Sequence, residues 1–247
     1  MFDYLANPTR FLKIASYAEP VAWGVFALAG LTGLGLAFIG SPADYQQGEI
    51  VRIMYIHVPS AWTALFGYLM MAVAAFFFLV WKHPLADIGA RAMALPGSVL
   101  ALITLITGSF WGKPMWGTWW VWDARLTSML ILFFLYIGYI ALADGFDRRD
   151  RGSKSASILL LVGVINLPII KFSVEWWNTL HQGASVLRLD GPSIDSSMLI
   201  PLLLMALAAK AWFVAITLMR MRAMLTERRL ETIASRGGEK SMGAANA

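Results

Sequence analysis

The chain has 247 residues, of which 58% are hydrophobic and only 14% charged, with a mean hydropathy of +0.63 and a formal net charge of +5. A soluble domain carries about a quarter charged residues, so this composition excludes an ordinary water-soluble enzyme and points to a chain that crosses a membrane repeatedly. The absence of cysteine excludes disulfides, zinc–thiolate centres and thioether attachment of a cofactor to this chain.

In chain order, apolar runs predict six transmembrane helices over 21–40, 60–81, 93–110, 126–143, 157–172 and 198–219, each near the ~20 residues that a bilayer requires. Together they make one all-α, six-helix membrane domain over 1–247, with a tryptophan-rich signature at 111–128 and a basic tail at 220–247. A polar leader precedes the first run, which lacks a small-residue cleavage site and reads as a retained helix. In that run Ala29, Gly30, Gly33 and Gly35 predict close helix packing, with a neighbour that the pattern does not identify. The fifth run holds Asn166 and Pro168 and is expected to kink. The tail after Arg220 reads as an interfacial helix that frays.

Lysine and arginine orient these spans. Arg52, Lys113, Arg125, Lys171 and Arg188 fall on one side, Lys210 lies within the last span, and all other basic residues fall on the opposite side. Positive loops stay in the cytoplasm, so both termini are expected there and the loops around Arg52, the tryptophans and Arg188 are expected outside. No stretch suggests nucleic-acid binding, because the basic residues flank apolar runs.

This topology sorts the three histidines. His57, in Tyr55-Ile-His57-Val-Pro59, precedes the second span on the outer side; Pro59 suits a first helical turn, which would leave His57 just outside the helix. His181 lies in the last outer loop, and His83 lies a membrane thickness away. Trp177, Leu180, His181 and Ala184 follow i, i+3, i+4, i+7 spacing, which predicts a short interfacial helix with His181 one turn from Trp177. Two histidines on one side are available as axial ligands of an iron porphyrin; hydrated interfacial histidines are the plainer reading.

Five of the eleven tryptophans fall in the run from Trp111 through Trp116, Trp119, Trp120 and Trp122 to Asp123 and Arg125. An aromatic belt needs only one or two per helix end. This crowding, shaped by Gly112, Pro114 and Gly117, suggests a surface for stacking a flat apolar ligand. Asp123 also suits a helix N-cap. Arg52 and Arg125 suit either porphyrin propionates, through bidentate pairing, or lipid headgroups. Lys210 either snorkels or meets a neighbour within the bilayer.

The segment Trp116-Gly-Thr-Trp119-Trp120-Val-Trp122-Asp123 resembles the WWD signature of the haem-handling proteins of cytochrome c maturation. With six spans and one outer histidine on either side of the signature, nearly the whole chain resembles the CcmC family; the related CcmF has more spans than this length holds. The resemblance implies a protein of the bacterial inner membrane that holds haem b non-covalently at the periplasmic face. His57 and His181 would be the axial ligands, and Trp116, Trp119, Trp120, Trp122 and Asp123 the platform, with Trp177, Arg52 and Arg125 as chemically suited contacts. It further implies delivery of haem to the chaperone CcmE, alongside CcmD and the ABC-type pair CcmA and CcmB. No catalytic residue is assigned, and the chain has no ATP-binding P-loop. A haem permease and a scaffold that binds no haem are the alternatives.

Overall fold

The computed structural model describes residues 7–245 except 184, 187 and 189, with side chains described through residue 235. Among the described residues it is all-helical, and six helical segments are long and apolar enough to cross a membrane. This is a multi-pass membrane protein.

The helices begin and end where local chemistry allows. Helix α1 (Pro8–Gly35) starts ahead of the apolar run: Asn7 Oδ1 accepts from the amides of Thr9 and Arg10, and Pro8 sits at the first helical position. It ends in a wider π-type turn, Leu36–Gly40. A 3-10 turn, Glu49–Ile53, leads directly into α2 (Met54–Trp81). His57 and Pro59 therefore lie inside α2 rather than at its threshold, because the preceding 3-10 turn nucleates the helix one turn early. Lys82, in the left-handed region at φ 51°, ends α2.

Helix α3 (Pro84–Trp116) runs back and stops at Gly117, whose φ of 76° a side chain would resist. Helix α4 (Ala124–Asp144) is capped by Asp123, whose Oδ1 accepts from Leu126 N at 2.8 Å. The fifth span breaks as expected into α5 (Arg149–Gly163) and α6 (Asn166–Trp176). Asn166 Nδ2 donates to the Ser128 carbonyl at 2.9 Å and ties this break to α4. Helix α7 (Ser196–Ala245) carries the sixth span and continues unbroken into the basic tail, so no separate interfacial helix follows Arg220.

Glycine notches set the packing. Helix α1 lies along α7, with Gly30 facing Ala208, and Gly33 facing Leu204 and Met205. The neighbour predicted by the small-residue pattern is thus within this chain. At the core, Tyr68 and Tyr136 meet edge to face at 5.3 Å. A Cβ at Gly163 would strike the Tyr68 hydroxyl at 2.1 Å, and one at Gly97 would strike the Tyr136 ring at 2.4 Å. The two rings fill notches that only glycine leaves open, and Tyr136 Oη donates to the Ala64 carbonyl at 2.7 Å.

The basic end is cross-tied by ions. Arg91, nearly buried, reaches Asp144 (2.8 Å), Asp87 (3.3 Å), Ser153 Oγ (2.9 Å) and the Ala143 carbonyl (2.8 Å). Arg228 joins Asp87 at 3.1 Å, and Arg222 meets Glu19 at 2.6 Å. The last pair places the start of α1 and the lower part of α7 at one end of the bundle.

Candidate functional site

At the opposite end, the tryptophan end, helices deliver side chains from sites far apart in sequence. Helix α2 brings His57, α3 brings Thr107, Gly108, Trp111 and Trp116, α4 brings Arg125, and the loop after α6 brings His181. The imidazoles of His57 and His181 stand 6.4 Å apart between ring centroids, with their planes tilted by 30°. Trp111 packs edge-on against His57 at 5.6 Å, and Trp116 lies 6.2 Å from His181.

Hydrogen bonds assign the tautomers. Thr107 Oγ1 donates its one proton to the Ile103 carbonyl at 2.7 Å, so towards His57 Nδ1, 3.0 Å away, it can only accept. His57 therefore carries its proton on Nδ1. His181 Nδ1 lies 3.2 Å from the Gln182 carbonyl, again an acceptor only. Arg125 Nη1, a donor 3.5 Å from the same Nδ1, would bond it in the other tautomer; the shorter contact to the carbonyl favours the proton on Nδ1. In both rings Nε2 keeps its lone pair and has no protein partner among the described residues. Burial, and next the Arg125 charge, hold His181 below the usual histidine pKa, which favours the neutral, ligating form.

The spacing has a chemical reading. Two metal–imidazole bonds of about 2 Å each, plus the ring radii, put opposed axial imidazoles roughly 6 Å apart between centroids. Among the described residues no three His, Asp or Glu side chains gather as a metal site. A bare ion would lack ligands here. A metal already held in a porphyrin would need only two such donors.

Beyond Trp116, the recorded ring contacts of the tryptophan loop are with α3 and within the loop. Trp119 packs on Phe110 at 5.6 Å with Lys113 Nζ 6.0 Å from its ring, and Trp120 and Trp122 meet at 5.5 Å. Trp122 is 76% exposed. Trp120 Nε1 and Asp123 Oδ2 are buried with no hydrogen-bond partner among the described residues, which is costly unless a ligand or partner completes them.

The remaining predicted residues are engaged with the protein itself. Arg125 bonds Ser173 Oγ (3.0 Å) and the carbonyls of Ile170 and Lys171 (3.3 Å each), so it ties α4 to α6 and steers the chain that carries His181. Arg52 pairs with Glu49 and the Ala37 carbonyl, closing the turn between α1 and α2. The predicted interfacial helix after Trp176 does not form. Trp177 is extended at φ −135°, and Thr179 Oγ1 takes the His181 amide at 3.0 Å, a local bond that competes with a helical turn. Trp177 faces Trp176 instead of sharing a helical face with His181, and Ala184 of that pattern lies outside the described residues.

Sequence reasoning did not single out Thr107, Gly108 or Gln47. A Cβ on Gly108 would lie 3.0 Å from His57 Cε1, and Gln47 Oε1 accepts from Trp111 Nε1 at 2.8 Å. The available signal was Thr107-Gly108 one turn before Trp111, near the end of a span. Recesses of about 910 and 210 Å³ open at the other end of the molecule, beside Arg222 and Arg91 respectively.

A family model described as CcmC, Heme exporter protein C, matches residues 1–236. The chain is similar to Heme exporter protein C of Bradyrhizobium diazoefficiens, with 51% identity over 93% of this chain and 87% of that one. It is 53% identical to Heme exporter protein C of Haemophilus influenzae over 88% of each chain. It is also 49% identical to a ccmC-like mitochondrial protein of Marchantia polymorpha named for cytochrome c biosynthesis, over 83% of this chain and 86% of that one.

Proposed function

The chain belongs to the heme exporter protein C family, and from that premise we propose that it binds haem b non-covalently between His57 and His181 and hands it to the chaperone CcmE. Membership carries the broader role, haem handling in cytochrome c biogenesis. The observation that supports the finer reading is the pair of imidazoles 6.4 Å apart, with no partner for either Nε2 among the described residues.

In this reading Thr107 and the Gln182 carbonyl hold the two rings in the ligating tautomer. Trp111 and Trp116 wall the pair, and Arg125 keeps the His181 segment close. Trp120 Nε1 is a donor suited to a propionate, and Asp123 Oδ2 remains open after Oδ1 has capped α4. Arg125 is the nearer arginine for a propionate, while Arg52 braces the α1–α2 turn. Trp119 and Trp122 stay exposed as an apolar surface on which a chaperone can dock. The charge asymmetry of the loops supports a periplasmic site in the bacterial inner membrane, with CcmA, CcmB and CcmD as the associated subunits.

The test is optical. Purified chain with haem should show a low-spin bis-histidine spectrum. His57→Ala and His181→Ala should each abolish it, and His83→Ala should leave it unchanged. An unaltered spectrum in the double variant sinks the proposal. A permease reading has less support: Asn166, a rare polar group in the spans, is occupied by the Ser128 carbonyl.

A further inference from the structure

Lys210 is a cation near the middle of a transmembrane helix. It lies about 21 Å along α7 from Ser196 and about 15 Å from Arg220, at 1.5 Å per residue, too deep to snorkel to either surface. Arg220 itself is anchored at the basic end, where its Nε donates to the Ala92 carbonyl at 3.0 Å. Lys210 Nζ stands 4.9 Å from the centroid of the Phe66 ring on α2. No described carboxylate pairs with it. The sequence has no Asp or Glu in 21–40, 60–81, 93–110, 126–143, 157–172 or 198–219, so a second copy of this chain could not supply one at that depth either.

The surrounding surface is apolar. Leu203, Leu207 and Val214 on α7, and Phe66, Leu69 and Val73 on α2, are all exposed. The two helices approach closely beneath them: a Cβ on Gly67 would lie 2.8 Å from Phe213 Cζ. The result is a shallow seam with one charge at its centre. Charged groups at this depth are kept where they meet a partner, and interhelical polar contacts hold transmembrane helices together.

We propose that the α2–α7 seam is a docking surface for a membrane-spanning helix of a different protein, which presents an Asp or Glu carboxylate to Lys210. Acyl chains offer no anion at this depth, and headgroups do not reach it. The carboxylate completes the shell that the Phe66 ring begins, and the flanking leucines and valines pack on the incoming helix.

The experiment places the photo-crosslinker p-benzoylphenylalanine at Leu207 in the full chain, in its native membrane with its natural partners, and identifies the linked peptides by mass spectrometry. The expected product is a hydrophobic segment of another protein with an acidic residue within one turn of the link. Lys210→Met should lower its yield about fivefold, the scale of a transmembrane polar contact; Lys210→Arg should keep it, and neutralising the partner's carboxylate should reproduce the loss. Circular dichroism checks that Lys210→Met remains folded. Links to lipid alone, to a second copy of this chain or to a segment without an acid, or a yield indifferent to Lys210→Met, would overturn the proposal.

Discussion

At the basic end of the bundle, charges close on one another: Arg91 reaches two carboxylates, a hydroxyl and a carbonyl, Arg228 shares Asp87, and Arg222 holds Glu19. At the tryptophan end the open groups are of another kind. Among the described residues neither histidine Nε2 has a partner, and Trp120 Nε1 and Asp123 Oδ2 are buried and unmatched. The basic end leaves Arg228 Nε and His83 Nδ1 over as well, but there the charges already join helices to one another. Only the tryptophan end sets two imidazoles side by side with their second nitrogens open, which is what a ligated guest requires.

The comparison breaks if the two ends respond alike to mutation. Arg91→Ala should leave Asp87 and Asp144 without their shared partner and lower stability by about 3 kcal/mol, read as an earlier thermal transition in detergent. The haem spectrum at the working temperature should not change. Loss of haem without loss of stability would mean that the basic end is not the structural one.

Gly108→Ala should act in the opposite way. Its Cβ would press on His57 Cε1 from 3.0 Å, displacing the proposed ligand without cutting a hydrogen bond. Haem affinity should fall about 10- to 100-fold, measured by titration, while the melting temperature shifts little.

Thr107→Val sharpens the point. It keeps the side chain's shape but removes the acceptor that holds the proton on His57 Nδ1. Affinity should drop about tenfold, and Thr107→Ser should restore most of it. A Val variant that binds like the parent would dismiss the tautomer argument.

The smallest effect concerns pH. In the proposed site the neutral imidazole is the ligand, and burial with the Arg125 charge lowers the pKa of His181 from 6.5. Protons therefore compete with iron for this ring only below the ordinary histidine range. Haem affinity should stay level as pH falls through 6.5 and decline beneath it. A decline centred near 7 would mean that His181 is solvated like a free side chain.

Much of this molecule was legible in the sequence because the relevant physics is local. Apolar runs of about 20 residues marked all six spans, since a single run satisfies its own backbone in lipid only as a helix. Asn166 and Pro168 marked the break between α5 and α6, Asp123 read as a cap and became one, and lysine and arginine separated His57 and His181 from His83. Helix starts were less legible: α1 begins at Pro8 because Asn7 caps it, and α2 absorbs His57 because a 3-10 turn precedes it.

Tertiary structure decided what faces what. His57 and Thr107 are fifty residues apart, and Arg125 and His181 fifty-six; no periodicity connects them. Only the packing of α2 on α3 and of α4 on α6 brings the rings together, diverts Arg52 to the Ala37 carbonyl, and lets a loop stand where a helix of Trp177, Leu180 and His181 was expected. The segments that cross the membrane follow from chain composition, because burial in lipid acts on each segment separately. The side chains that converge follow from the fold, because convergence depends on contacts between segments that have no sequence relation.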